Sequence, residues 1–204
     1  MKIFVIGFNK TGTSSLHELF KRSNINSVHT TKPIIEIIDK YDAFTDGDHI
    51  NFEDYYNKYP DSLFILNTRP ISNWLISRYK HALRTNFQES WCWPVSQEKT
   101  NQWITKRELR YQKILHFFSN KIHQLLIVNI EKQGWENKVL NYIKKKPITF
   151  QVHKNIRNST VIPSDKMKLI TENVSNCLIK RGYTGDELLC KNLDIKLYNF
   201  ENFL

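Results

Sequence analysis

The feature that most constrains this chain is its opening. Ile3-Phe4-Val5-Ile6 runs straight into Gly7-Phe8-Asn9-Lys10-Thr11-Gly12-Thr13-Ser14, and Leu16, Leu19 and Phe20 follow at helical spacing. A short apolar, β-rich run bounded by glycine reads as a strand buried on both faces. The later apolar residues fall on one face of a helix. Strand, glycine-bounded loop and helix in that order aim backbone N–H groups at one point, the positive end of a helix, which suits a bound phosphate or similar anion.

The remainder repeats the alternation. Strands are predicted at Ser27 to Thr30, Ala43 to Thr45, Ser62 to Asn67 and Leu125 to Val128. Helices are predicted after Pro33, from Pro70 through Tyr79, from about Glu98 to Phe118, from Trp135 to Lys145 and from Pro163 to Lys180. Proline suits a first helical position, and Gly182 suits the stop of the last helix. Strands alternating with helices imply an α/β architecture, a mainly parallel central sheet with helices on both faces. No repeat and no Pro-, Gly- or Ser-rich linker divides the 204 residues, so a single domain over 1–204 is expected.

The loop departs from the usual nucleotide-hydrolase pattern, G-x-x-x-x-G-K-[ST]. Gly7 and Gly12 keep its spacing, but Thr13 stands where the lysine belongs, and the lysine has moved inside the loop to Lys10. In ATP and GTP enzymes the lysine at its usual position reaches the β/γ-phosphates and the next hydroxyl holds Mg²⁺. A lysine earlier in the loop would instead lie near a 5′-phosphate or its bridging oxygen. A second strand-to-helix junction, Phe64-Ile65-Leu66-Asn67-Thr68-Arg69-Pro70, puts Arg69 at a strand's carboxyl end, with Ser77 two turns into the helix. Open α/β sheets place ligands at such ends, and a guanidinium can grip a phosphate bidentately.

Gly7-x-x-Lys10-Thr11-Gly12-Thr13-Ser14 resembles the 5′-phosphosulfate loop of sulfotransferases, and Arg69…Ser77 resembles the pair with which that family holds the 3′-phosphate of 3′-phosphoadenosine 5′-phosphosulfate (PAPS). The run from Tyr41 through Asp46-Gly47-Asp48 and Tyr59-Pro60-Asp61 to Trp74 is similar to one branch of the family, and Leu126-Ile127-Val128-Asn129 with Trp135 and Leu140 to its penultimate strand and helix. The resemblance implies a three-layer P-loop NTPase-like fold and transfer of a sulfuryl group from PAPS to an acceptor hydroxyl or amine. No metal is required, because a sulfuryl group carries less negative charge than a phosphoryl group. It implies a donor site of Asn9, Lys10, Thr11, Gly12, Thr13, Ser14, Arg69 and Ser77, with Lys10 also serving the leaving phosphate.

The family places a His or carboxylate base at the end of the strand preceding the arginine. That position is Asp46 here, with its neighbours Asp48 and His49 as alternative bases; an Asp-Gly-Asp also suits a plain turn. His29, ending the second strand, is either a residue facing the acceptor or a structural histidine. The family's adenine-stacking aromatic after the first loop is replaced by Ser15, and its C-terminal basic loop is matched only by Lys154 and Arg157, which also fit a solvated basic segment. Trp91 and Trp93, with Lys80, His81 and Arg84, are candidates for an acceptor site that would suit a carbohydrate or anionic small molecule, or for ordinary packing.

Charge adds little discrimination. The net charge of +10 favours polyanions, yet it also fits a solvated lysine-rich surface. Two rival readings follow: a small-molecule P-loop kinase using ATP and Mg²⁺, against which the missing Gly-Lys-[ST] order counts, and a basic nucleic-acid-binding protein, for which no recognised module is present. Cys92, Cys177 and Cys190 lie far apart with no CxxC, against a zinc site or disulfide scaffold and for a reducing compartment. No run approaches the ~20 apolar residues of a membrane span, and the apolar start is interrupted too early for a signal peptide. A cytoplasmic location is expected.

Overall fold

The computed structural model describes residues 1–30, 32–84, 94–146, 162–189 and 191. They form β1 (Ile3–Val5), α1 (Thr13–Arg22), β2 (Ser27–Val28), β3 (Ala43–Phe44), α2 (Phe52–Lys58), β4 (Leu63–Thr68), α3 (Ile71–Arg84), α4 (Gln97–Phe118), β5 (Leu125–Asn129), α5 (Trp135–Tyr142) and α6 (Ser164–Lys180). The strands make one five-stranded sheet in the order β2-β3-β1-β4-β5, and each neighbouring pair is parallel. The α/β reading, with its parallel sheet, is therefore correct. Chain order reverses between β1 and β4, the crevice where such sheets bind ligands beyond their carboxyl ends.

Two compact units are distinguished. One takes Met1–Thr68 and the described part of Ile114–Asn155; the other takes the described parts of Arg69–Lys113 and Ile156–Leu193. The first unit contains the whole sheet, which is apolar on both faces as a parallel sheet must be. On one face Ile3, Val5 and Ile65 pack with Leu16, Leu19 and Phe20 of α1 and Val139 and Leu140 of α5. On the other, register aligns Phe4 with Phe44 and Phe64, and both ring pairs stack with centroids 5.4 Å apart. Tyr55 of α2 and Phe118 extend this aromatic layer.

In the second unit, the Tyr79 and Thr100 hydroxyls are 2.7 Å apart and Asn173 Nδ2 donates to Thr100 Oγ1 at 2.6 Å, which ties α3, α4 and α6 together. Arg181 Nη2 meets Glu108 Oε2 at 2.6 Å, and the Tyr183 hydroxyl donates to the same carboxylate. Arg107 is fully buried there and donates to the carbonyls of Arg69 and Leu188 at 3.0 and 2.6 Å, fixing the entry to α3.

Two elements differ from the sequence expectation. Past Pro33 the chain makes two single 3₁₀ turns, Ile34–Glu36 and Ile38–Lys40, in place of an α-helix. Four β-branched residues in five positions oppose helix propagation through their restricted side-chain rotamers, while burying Ile34 and Ile38 compensates. The short helix α2 was not foreseen. It forms because Phe52 and Tyr56 pack against Phe117 and Phe118, which are distant in sequence. Trp91, Trp93, Lys154, Arg157, Cys92 and Cys190 lie outside the described residues, as does the side chain of Arg84. Cys177 is buried and free.

Candidate functional site

The glycine-bounded loop joins β1 to α1 at the carboxyl edge of the sheet. Lys10 (φ 64°) and Gly12 (φ 89°) both take the left-handed conformation, a backbone form common in anion-binding loops, and the Thr11 N–H between them donates to the Phe8 carbonyl at 3.3 Å. A lysine in that conformation is uncommon, and the loop must hold it there. Gly12 leads α1 with no side-chain cap, and no acidic residue stands in the first turn. The first N–H groups of α1 thus keep their positive potential for a ligand. A β-carbon on Gly12 would come 2.9 Å from Ile130 Cδ1, a side-chain tip that could shift, but the positive φ itself disfavours any residue with a side chain.

The loop is held by Asn67, a residue the sequence did not single out. Its side chain is fully buried. Asn67 Oδ1 accepts from the Gly7 N–H at 3.1 Å, and Nδ2 donates to the Thr11 carbonyl at 2.9 Å and to Thr11 Oγ1 at 2.7 Å. The Thr11 hydroxyl in turn donates to the Phe8 carbonyl. One amide on β4 therefore pins both ends of the loop on β1. The approach is so close that a β-carbon on Gly7 would lie 2.2 Å from the Asn67 carbonyl oxygen. The only hint in the sequence was an amide in an otherwise apolar strand.

Of the expected donor residues, Asn9, Lys10, Thr11, Gly12, Thr13 and Ser14 come together in this loop; Thr11 and Thr13 are buried and the other four half-buried. Ser15 is buried, so that position offers no stacking surface. Arg69 follows directly on Thr68, the last residue of β4, and is half-buried; Ser77 is a half-buried residue of α3.

The exit of β3 also reaches the sheet's edge. A β-carbon on Gly47 would lie only 1.5 Å from the Val5 carbonyl oxygen, so this glycine lets Asp46-Gly47-Asp48 cross the end of β1 in direct contact. Asp46 is half-buried, and among the described residues no hydrogen bond or ion pair engages its carboxylate. Asp48 Oδ1 lies 3.8 Å from His49 Nδ1.

His29 has a more specific place than its sequence position suggested. Its Nε2 is 3.2 Å from Ser14 Oγ, and its Nδ1 is 3.2 Å from Thr45 Oγ1. Thr45 Oγ1 donates its single proton to the Val28 carbonyl at 3.1 Å, so it can only accept from His29. The neutral tautomer consequently carries its proton on Nδ1 and turns the Nε2 lone pair toward the loop. His17 stacks near His29 at 6.0 Å between centroids and has Nδ1 3.0 Å from Ser27 Oγ. Burial first, then His29 and Lys21, hold the His17 imidazole below its ordinary pKa, with Glu18 opposing. Among the described residues no group of His, Cys, Asp and Glu is placed to hold a metal ion, and no helix is long and apolar enough to cross a membrane.

A parallel sheet with a braced, anion-ready loop at its strand-order reversal defines an α/β protein of P-loop-like build. Within that class the chain belongs to the sulfotransferase family: the family's sulfotransferase domain matches residues 21–145. The matched span begins after the loop and takes in Asp46, Asn67, Arg69 and Ser77. Searches of curated proteins and of solved structures returned no match.

Proposed function

We propose that the protein transfers a sulfuryl group from PAPS to the hydroxyl or amine of a small acceptor. The observation that carries the reading is the Asn67-braced loop with Lys10 inside it, in a chain of the sulfotransferase family. The loop's N–H groups and the uncompensated start of α1 supply fixed positive potential for a 5′-phosphosulfate. Lys10, within the loop, would neutralise charge on the departing phosphate, a role that needs no metal ion. Arg69, at the exit of β4, and Ser77 would hold the 3′-phosphate, the guanidinium by paired hydrogen bonds. Transfer to a hydroxyl also needs a proton acceptor. Asp46, with Asp48 and His49 close behind it beyond β3, and His29 beyond β2 follow strands at the carboxyl edge of the sheet and have the chemistry for it.

The test is calorimetric. Adenosine 3′,5′-bisphosphate, the product left after transfer, should bind without metal and more tightly than ATP with Mg²⁺. Binding should collapse in Arg69→Ala, and transfer should be lost in Lys10→Ala. Preference for ATP·Mg²⁺ would turn the reading to a kinase, and undiminished turnover in Lys10→Ala would remove the proposed role of the loop.

A further inference from the structure

The start of a helix is ordinarily an anion site of its own, because its leading N–H groups lack partners within the helix. At α3, which opens just after Arg69 and carries Ser77, the two leading groups are already engaged. The Ile71 N–H donates to the Glu187 carbonyl and the Ser72 N–H to the Gly185 carbonyl, both at 3.1 Å. Ser72 Oγ adds a second bond to the Gly185 carbonyl at 2.8 Å. The turn that supplies these carbonyls is braced from within: the Glu187 carboxylate accepts from the N–H groups of Thr184 and Gly185 at 2.8 and 2.9 Å.

Arg107 joins this turn to Arg69. From α4 its Nη2 donates to the Arg69 carbonyl at 3.0 Å and to the Leu188 carbonyl at 2.6 Å, and it lies 3.4 Å from the Glu187 carbonyl. The side chain is fully buried, with its guanidinium 5.4 Å from the Trp74 ring centre and 5.0 Å from that of Tyr111. Burying a guanidinium is costly, and an apolar residue would fill a place against two aromatic rings without that cost. What the guanidinium supplies is a fixed backbone at Arg69. Arg107 holds the Arg69 carbonyl, Pro70 follows with a locked φ and biases Arg69 toward extended backbone, and Glu187 holds the Ile71 N–H. A backbone held on both sides sets the direction in which the Arg69 side chain leaves it.

We infer that Arg107 is a positioning residue for the donor's 3′-phosphate, acting through Arg69, and that this phosphate is held by the side chains of Arg69 and Ser77 alone, with the start of α3 closed to it. The inference rests on the donor reading above. An Arg69 guanidinium directed before the nucleotide arrives gives up less freedom on binding, and that smaller ordering cost is what Arg107 contributes to affinity.

The measurement is calorimetric and compares adenosine 3′,5′-bisphosphate with adenosine 5′-monophosphate, whose affinity ratio isolates the 3′-phosphate. Arg107→Met keeps the bulk of the side chain without its donors. It should lower that ratio by about tenfold or more while the monophosphate binds as it does to wild type. Arg107→Lys should give an intermediate ratio, and it is read in the same way if the methionine variant does not fold. In an Arg69→Ala background, replacing Arg107 should lower the ratio no further. Arg69→Ala combined with Ser77→Ala should leave the two nucleotides bound alike. A loss shared equally by both nucleotides would make Arg107 a structural support and overturn the inference, as would a ratio unchanged from wild type or a further fall in the Arg69→Ala background. A preference for the bisphosphate surviving in the Arg69, Ser77 double variant would overturn the closure of α3. A wild type that binds both nucleotides alike removes the donor reading and this inference with it, whereas a preference in wild type that the Arg107 variants keep overturns this inference alone.

Discussion

Asn67 offers the sharpest test of how the loop is held. In Asn67→Ala the Gly7 N–H and the Thr11 carbonyl lose the side-chain partner that this buried amide supplies. The Thr11 hydroxyl keeps its bond to Phe8 and so adds little. A buried backbone group left unmatched costs roughly 1–3 kcal/mol, so two of them predict a loss of about 2–6 kcal/mol. That is a large part of the roughly 5–15 kcal/mol by which a domain is stable. With a urea slope of about 2 kcal/mol per molar, the unfolding midpoint should fall by about 1–3 M. The loop should also lose its pre-set shape, so adenosine 3′,5′-bisphosphate affinity should fall at temperatures where the variant is still folded. Asn67→Asp separates the two effects. It keeps an acceptor for Gly7, cannot donate to Thr11, and sets a negative charge beneath the anion site, so nucleotide binding should vanish even where the protein remains folded. A urea midpoint for Asn67→Ala unmoved from wild type, with nucleotide affinity intact, would refute the brace.

Two further predictions concern the same unit. Gly47→Ala forces a methyl group against the Val5 carbonyl; the strain should cost at least about 3 kcal/mol, read as a lower thermal midpoint and poor soluble yield, and a variant as stable as wild type would contradict the contact. His17 is held below its ordinary pKa by burial, His29 and Lys21, so as pH falls through the ordinary histidine range the unfolded chain takes up its proton first and stability declines until the folded-state pKa is passed. His17→Gln should flatten that part of the curve of thermal midpoint against pH, and parallel curves for the two proteins would show that His17 does not contribute.

Local pattern determined much of this protein. The apolar runs 3–6, 62–67 and 125–128, each followed by helical spacing, specified strands of a doubly covered parallel sheet, because burial on both faces demands a continuous apolar run. The glycines at 7 and 12 and the displaced Lys10 marked the loop, since a left-handed turn and close backbone approach leave a compositional trace. What surrounds the loop left almost none. The amide that braces it is 60 residues from Gly7 and 56 from Thr11 in sequence. His29 acquires its tautomer from Thr45, 16 residues on, and its direction from Ser14, 15 residues back. The isoleucines after Pro33 have the composition of a helix or a strand, and only the packing of Ile34 and Ile38 selected two short turns. Strand order decides which distant side chains meet at the sheet's carboxyl edge, and that order depends on contacts between segments that no local window of the sequence contains.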